Sequence, residues 1–419
     1  MKFNLIALAA LVAAPLVLAD APITNQDISA DLIIKDSYIV KYKDGADPAR
    51  RKKHEDAVDK KAKAGRKKGV TQRIDIAGGL QGYVVEIGES DLKDVTSSDL
   101  VEYLEQDTIV SLNPPSQPNP LPLPKRALIT QPNAPSWGLG RISHRARGNA
   151  DYTYQPPTSR PSVRVYIIDT GIQTTHTEFR TTTGLARAVW GANFIPSSPN
   201  TDENGHGTHT AGTVAGRSVG IARNATVVAV KVLDRLGSGS LSGVISGINW
   251  AVSDASARGI LGRAVINMSL GGSASPTLNA TVEAAYTKGM SVVVAAGNSG
   301  ADVAGFSPAS APDAITVAAT DRTDAKPGWS NFGKGVDLFA PGVDIVSAWI
   351  GAGDNLYATA SGTSMASPHV AGLAAYFIDK EGLASPAAVA NRIRGAATVG
   401  VVVGPAGSPN RLAYNDDGL

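Results

Sequence analysis

At 419 residues the chain is longer than one hydrophobic core usually fills, so more than one folded unit is expected. Its 39 basic and 37 acidic side chains nearly cancel, leaving a formal net charge of +2, which speaks against nucleic acid as an obligatory partner. There is no cysteine, and that excludes disulfides, thiolate catalysis and cysteine-ligated zinc. A hydrophobic content of 43% with 44 glycines fits a tightly turned globular α/β protein.

At the amino terminus Lys2 precedes the apolar run Leu5 to Leu18, which Pro15 interrupts and which is too short to span a bilayer comfortably. It ends in Val17-Leu18-Ala19, small at the positions a signal peptidase reads, so residues 1–19 are expected to be a secretory signal peptide. No later stretch is apolar and long enough for a membrane helix. The expected product is soluble, secreted and without a membrane partner.

Residues 20–112 read as a small α+β module. Ser37 to Tyr42 alternates like a strand, and Pro48 to Lys68 is helical and very basic. Glu55, Asp56 and Asp59 interleave with those bases, so a solvated helix face is expected there. Strands follow at Thr71–Ile76 and Gly82–Ile87, then a short helix over Glu89–Ser97 and a strand over Val101–Ser111. The order β-α-β-β-α-β is that of a ferredoxin-like unit. Residues 113–126 are rich in proline, which removes backbone donors and favours extended, exposed geometry. This linker ends in the dibasic pair Lys125-Arg126, a candidate processing site.

From 127 to 419 the chain becomes rich in Gly and Ala. Buried strands are expected at Val163–Ile168, Thr226–Val232, Ala264–Met268, Ser291–Ala295 and Ala314–Val317. Helices at His206–Ala215, Ser242–Ala257, Leu278–Lys288 and Ser364–Lys380 alternate with them. Apolar strands alternating with helices imply a mostly parallel sheet covered on both faces. Functional groups in such sheets gather at the carboxyl ends of the strands.

Four stretches carry chemistry. In Gly362-Thr-Ser-Met-Ala-Ser-Pro-His369, Ser364 falls on the first turn of a buried helix, where backbone N–H groups and the helix dipole favour a nucleophile and its oxyanion. Asp169 directly follows the strand Val163–Ile168, and His206 opens a helix of small residues. His209, three residues on, leaves a zinc pair open, although no third ligand or glutamate base accompanies it. Asn298, after the strand Ser291–Ala295, offers an amide donor at the same sheet edge.

Asp-Thr-Gly, His-Gly-Thr-His, Ala-Ala-Gly-Asn and Gly-Thr-Ser-Met-Ala-Ser-Pro-His, in this order, resemble the subtilisin-like serine proteases, most closely the secreted fungal proteinase K branch. The likeness runs over nearly all of 127–419, and the module before it resembles the inhibitory propeptide of the same family. The resemblance implies an endopeptidase with Ser364 as nucleophile, His206 as general base and acid, Asp169 as the group that orients it, and Asn298 with the Ser364 N–H as oxyanion donors. It places an extended peptide between Gly237, Ser238, Gly239 and Ser269, Leu270, Gly271, with Ala295, Ala296 and Gly297 along the primary specificity pocket. No acidic residue lies in these segments, so broad cleavage leaning to apolar or aromatic side chains is expected.

A structural calcium ion is implied at Pro312, Ala314 and Asp337, while a second family position near Thr398 to Gly400 lacks its acid. The cysteines of that branch are missing here. A monomer acting on protein and peptide substrates, held by its own propeptide, is expected. Glycosylation sequons stand at Asn224 and Asn279, and a third at Asn267 falls on a strand expected to be buried. Two other readings remain: a non-catalytic secreted binding protein on the same fold, and a zinc hydrolase using His206 and His209.

Overall fold

The computed structural model describes residues 20–25, 28–76, 79–112, the backbone of 119–121, 130–156 and 162–417. The signal-peptide stretch 1–19 and the dibasic pair Lys125-Arg126 lie outside the described residues.

The first module contains β1 (Ile33–Tyr42), α1 (Pro48–Ala64), β2 (Gly69–Asp75), β3 (Gln81–Glu86) and β4 (Val101–Ser111). Their antiparallel sheet runs β4-β1-β3-β2, built from the β-α-β-β-α-β succession read from the sequence. Asp47 caps α1 through the Arg50 N–H, and Pro48 sits at its first turn. The helix stops at Gly65, short of the expected Lys68, because Arg66 adopts a left-handed φ of 61°. The expected helix over Glu89–Ser97 is a 3-10 turn followed by the four-residue helix Lys93–Thr96.

The second unit is built on a parallel sheet. Its strands are β5 (Arg164–Asp169), β6 (Ala188–Asn193), β7 (Thr226–Lys231), β9 (Ala264–Met268), β10 (Ser291–Ala295), β11 (Ile315–Thr320) and β12 (Leu338–Pro341). The short strand β8 (Ser238–Ser240) stands apart from them. These seven run in the order β6-β7-β5-β9-β10-β11-β12, all parallel, and the sheet continues past β12 with the short strand Arg411–Leu412, parallel to it, and Thr398–Val399, antiparallel to that strand. The helices are α2 (His206–Ala215), α3 (Leu241–Ala257), α4 (Pro276–Thr287), α5 (Thr363–Glu381) and α6 (Pro386–Ala396).

Alternate residues of β5 serve opposite faces, as a strand's period of two requires. Val165 and Ile167 pack in one core with Ala211 and Val214 of α2 and Ala366, Val370 and Phe377 of α5. Tyr166 and Ile168 pack in the other with Val244 and Ile248 of α3 and Leu278 and Val282 of α4. The second core also takes Ile39, Ile74, Val84 and Val110, so the ferredoxin-like sheet lies on α3 and α4. Burial of these apolar side chains contributes roughly 1.5–3 kcal/mol each. The helices bearing His206 and Ser364 therefore share one face of the sheet.

Sequence reading passed over β6, β12 and α6, and over the hairpin of Ile345–Trp349 with Leu356–Ala360. Within the proline-rich linker, Asn119–Leu121 is an additional strand paired antiparallel with Leu356–Ala360.

Candidate active site

Asp169 is the last residue of β5 and His206 the first of α2. Gly207 lets these elements meet: a Cβ there would stand 2.1 Å from the Gly171 carbonyl oxygen. His206 Nδ1 lies 2.8 and 2.9 Å from the two Asp169 carboxylate oxygens, and both side chains are buried. His206 Nε2 is buried and has no hydrogen-bond partner.

A polar frame holds this pair. Asp202 Oδ1 accepts the Asn204 and Gly205 N–H groups and the Thr170 hydroxyl, while its Oδ2 accepts the N–H and hydroxyl of Thr208. Thr170 Oγ1 in turn accepts the Gly207 N–H at 2.9 Å. One buried carboxylate thus satisfies orphan donors at the start of α2 and ties them to the residue after Asp169. Lys231 is opposite Asp169 in the β7–β5 register, and its Nζ donates to the Thr170 carbonyl at 2.8 Å. Burial pulls its ammonium below the usual lysine range.

Ser364 occupies the first turn of α5. Its hydroxyl donates to the Ser269 carbonyl at 3.0 Å and makes no hydrogen bond with His206 Nε2. Ser269 Oγ donates back to the Ser364 carbonyl at 2.9 Å. Pro368 lies four residues beyond Ser364 inside the helix and has no N–H to give that carbonyl. The Ser269 hydroxyl takes its place.

Asn298 Oδ1 accepts the Thr363 N–H at 2.9 Å and the Thr363 hydroxyl at 2.8 Å. Thr363 Oγ1 also accepts the Gly297 N–H at 3.0 Å. These bonds orient the Asn298 amide, with Nδ2 on the side away from Thr363. Thr363, Asp202, Lys231 and the Ser269 hydroxyl were not found from the sequence. The only cues were a threonine beside the serine and an aspartate four residues before the histidine.

The structure brings most of the expected cleft residues together around the end of β4. Ser238 and Gly239 pair antiparallel with Ser111 and Val110. The Leu112 N–H donates to the Gly237 carbonyl at 3.0 Å, and the Ser111 N–H to the Gly271 carbonyl at 3.4 Å. The chain is thereby held between Gly237–Gly239 on one side and Gly271 on the other. Leu270 is buried in the core shared by α3 and α4. Ala295 ends β10, and Ala296 is buried against Val303 and Phe339. The Ala296 carbonyl accepts Asn331 Nδ2, so its backbone serves the turn.

Two carboxylates of β4 reach across to helix starts of the second unit. Glu105 accepts the Thr277 N–H at 2.9 Å at the head of α4. Asp107 accepts the Ser242 hydroxyl at 2.7 Å and its N–H at 3.2 Å at the head of α3. Burial raises both carboxyls above their ordinary range, against the pull of these hydrogen bonds.

His206, His209 and Asp337, expected at two metal sites, each have other partners. His206 Nδ1 is engaged by Asp169, and His209 Nε2 lies 3.0 Å from the Ile345 carbonyl, so the two rings have separate partners. Asp337 is likewise committed. Its Oδ1 accepts Arg394 Nε at 2.8 Å and its Oδ2 accepts the Thr316 N–H at 2.8 Å. With a guanidinium on the one carboxylate of the set, Pro312, Ala314 and Asp337 as folded do not fit a calcium ion.

A family model described as the Subtilase family matches residues 161–414. The chain is 47% identical to Subtilisin-like protease 2 of Pseudogymnoascus destructans, with all of both chains covered. It is 43% identical to Subtilisin-like protease 4 of Arthroderma benhamiae over 92% of each. Among solved structures, a cold adapted subtilisin-like serine proteinase aligns with a TM-score of 0.61 and 42% identity, covering 68% of this chain and 98% of that one.

Proposed function

Since the chain belongs to the subtilase family and is a subtilisin-like serine endopeptidase, we propose that it is secreted as an inactive precursor and cleaves proteins broadly, with a lean to apolar or aromatic side chains. The observation that carries the mechanism is the buried Asp169–His206 pair, whose Nε2 is left unpartnered at the sheet edge that also holds Ser364. For attack the Ser364 hydroxyl leaves the Ser269 carbonyl and donates to His206 Nε2 instead. Its oxygen attacks the peptide carbonyl as the proton passes to the imidazole, which Asp169 keeps in the right tautomer. The oxyanion accepts hydrogen bonds from Asn298 Nδ2 and the Ser364 N–H. His206 then protonates the departing amine, leaving an acyl-enzyme. Water, deprotonated by the same imidazole, releases the acid.

Peptide substrates take the place of Ser111 and Leu112, bonding along Gly237, Ser238, Gly239, Ser269, Leu270 and Gly271 as an added strand. Ala295, Ala296 and Gly297 line the pocket for the side chain before the cut bond. Residues 20–112 act as the intramolecular inhibitor, a role supported by the seating of Ser111 and Leu112 and by the anchors Glu105 and Asp107. Residues 1–19 direct export, and among the described residues no helix is long and apolar enough to cross a membrane.

Of the sequons, Asn224 is the one to carry a glycan, since it lies in the turn leading into β7. Asn279 lies within α4 with its Nδ2 on the Ser310 hydroxyl, and Asn267 is fully buried between Ser269 and Ser367.

A fluorophosphonate probe tests this reading, because it modifies only a serine activated by a base. Labelling at Ser364 after removal of residues 20–112, abolished by Ser364→Ala and by His206→Ala, is the expected result. A processed, folded protein that takes no label would be a binding protein instead. Activity lost to a chelator while the label persists would favour the zinc reading.

A further inference from the structure

The turn where the resemblance implies a calcium ion contains a cation of the chain's own. Asp337 immediately precedes β12, and its backbone N–H donates to the Thr316 carbonyl at 2.9 Å on β11. Its Oδ2 takes the Thr316 N–H in return, so the carboxylate is fixed against the neighbouring strand. The remaining oxygen, Oδ1, accepts Arg394 Nε from α6. Asp337 is 16% exposed and Arg394 32%, so the pair is partly withdrawn from water. Burial raises the Asp337 carboxyl overall, while the Thr316 N–H, Arg394 and, more weakly, Arg411 favour its charged form.

We infer that the Arg394 guanidinium is the resident cation of this site, standing where a divalent ion would otherwise bridge the 312–314 turn to Asp337. A calcium ion needs several oxygens converging at 2.3–2.6 Å, with the carboxylate as its main charge. Here that carboxylate is neutralised, one of its oxygens faces a backbone N–H, and an incoming ion would meet a fixed guanidinium at ion-pair distance. Arg394 also does what an ion cannot: it joins α6 to the β11–β12 pair of the sheet. This unit therefore keeps its fold without calcium at this turn.

The test uses the full chain with Ser364→Ala, which prevents autolysis, melted in excess calcium and in chelator. The two melting temperatures are expected to agree within about 1 °C, because an ion that does not bind the native state cannot shift it. Arg394→Ala should lower the melting temperature in chelator and gain part of it back from calcium, since Asp337 Oδ1 is then open to the ion. Arg394→Lys keeps the charge and should show little calcium response. A calcium-dependent rise in the unsubstituted chain that Asp337→Asn abolishes would overturn the assignment. The same rise surviving Asp337→Asn would place the ion elsewhere and support it. Should Arg394→Ala fail to fold in chelator, its recovery by calcium during refolding is the readout, and no recovery would also overturn the assignment.

Discussion

Ser269 and Ser364 exchange two hydrogen bonds: each hydroxyl donates to the other residue's carbonyl, at 2.9 and 3.0 Å. The second bond holds the nucleophile's hydroxyl off the base, and the first repairs the helix where Pro368 removes a donor. Ser269→Ala removes the repairing bond, which leaves the Ser364 carbonyl buried without a donor, and also removes the oxygen that accepts Asn267 Nδ2 at 3.1 Å. That costs roughly 1–3 kcal/mol of stability. A lowered melting temperature of the covalently inhibited protein is the expected reading, together with a fall in kcat that exceeds any change in KM. An unchanged melting temperature would show that the Ser364 carbonyl does not need the hydroxyl.

Thr363 holds the Asn298 amide that we propose as an oxyanion donor. Its hydroxyl accepts the Gly297 N–H and donates to Asn298 Oδ1, while its own N–H makes a second bond to that oxygen. Thr363→Val deletes the side-chain links and keeps the backbone one. Asn298 is then held by one bond instead of two, and kcat should fall about tenfold with KM nearly constant, the loss of one ordinary hydrogen bond at the transition state. Thr363→Ser should restore most of the rate. Equal loss in both variants would assign the effect to the methyl group and its packing.

The register at the cleft bears on maturation. Ser111 bridges Gly271 antiparallel, and a chain continuing in that register would meet Ser269, whose carbonyl accepts the Ser364 hydroxyl, two residues on. Asn113 lies outside the described residues, but this register would offer the Asn113–Pro114 bond to the nucleophile. A proline nitrogen has no N–H, and its ring restricts the residue before it, so such a bond is a poor substrate. Pro114→Ala is therefore expected to speed self-cleavage after Asn113, seen as faster appearance of a fragment ending there by mass spectrometry. The unsubstituted chain should instead be opened at Lys125-Arg126 by a dibasic-directed protease, leaving Ala127 as the mature start. Rapid self-cleavage after Asn113 in the unsubstituted chain would refute this.

Legibility in the sequence followed burial. Strands such as Ala264–Met268 and Ser291–Ala295 are covered on both faces, so they appear as mostly apolar runs, with only Asn267 and Ser291 polar, and with the bounds the structure shows. Asp169, His206 and Ser364 were readable because each sits at an element boundary, where a polar residue interrupts such a run. Contacts between distant segments left no periodic trace. Arg394 is 57 positions from Asp337, and nothing in either neighbourhood announces the other. The hydroxyl of Ser269 and the carboxylate of Asp202 act through bonds that only the folded backbone defines. The strand Leu338–Pro341 escaped because it is short and ends in proline, which reads as a turn.

Two buried histidines that take no part in the chemistry are expected to contribute to acid sensitivity. His209 and His369 are fully buried, and burial holds them down to about 3 and about 4. His176 is displaced in the same direction by the same cause. An unfolded histidine titrates near ~6.5, so below that pH the unfolded chain takes up protons that the folded chain refuses. Stability from these groups is complete above about pH 6.5 and is lost progressively as the pH falls toward 4. With two such groups, the loss between those limits is on the order of 5 kcal/mol, a large share of a typical domain's stability. The Ser364→Ala chain should therefore unfold at much lower urea at pH 4.5 than at pH 7. His369→Gln removes one of the two titrations and keeps a donor in reach of the Met365 carbonyl, which His369 Nδ1 approaches at 2.8 Å. It should narrow the gap in urea midpoint between the two pH values even if it weakens the fold at pH 7. An identical gap in the variant would mean that the acid sensitivity comes from carboxylates instead.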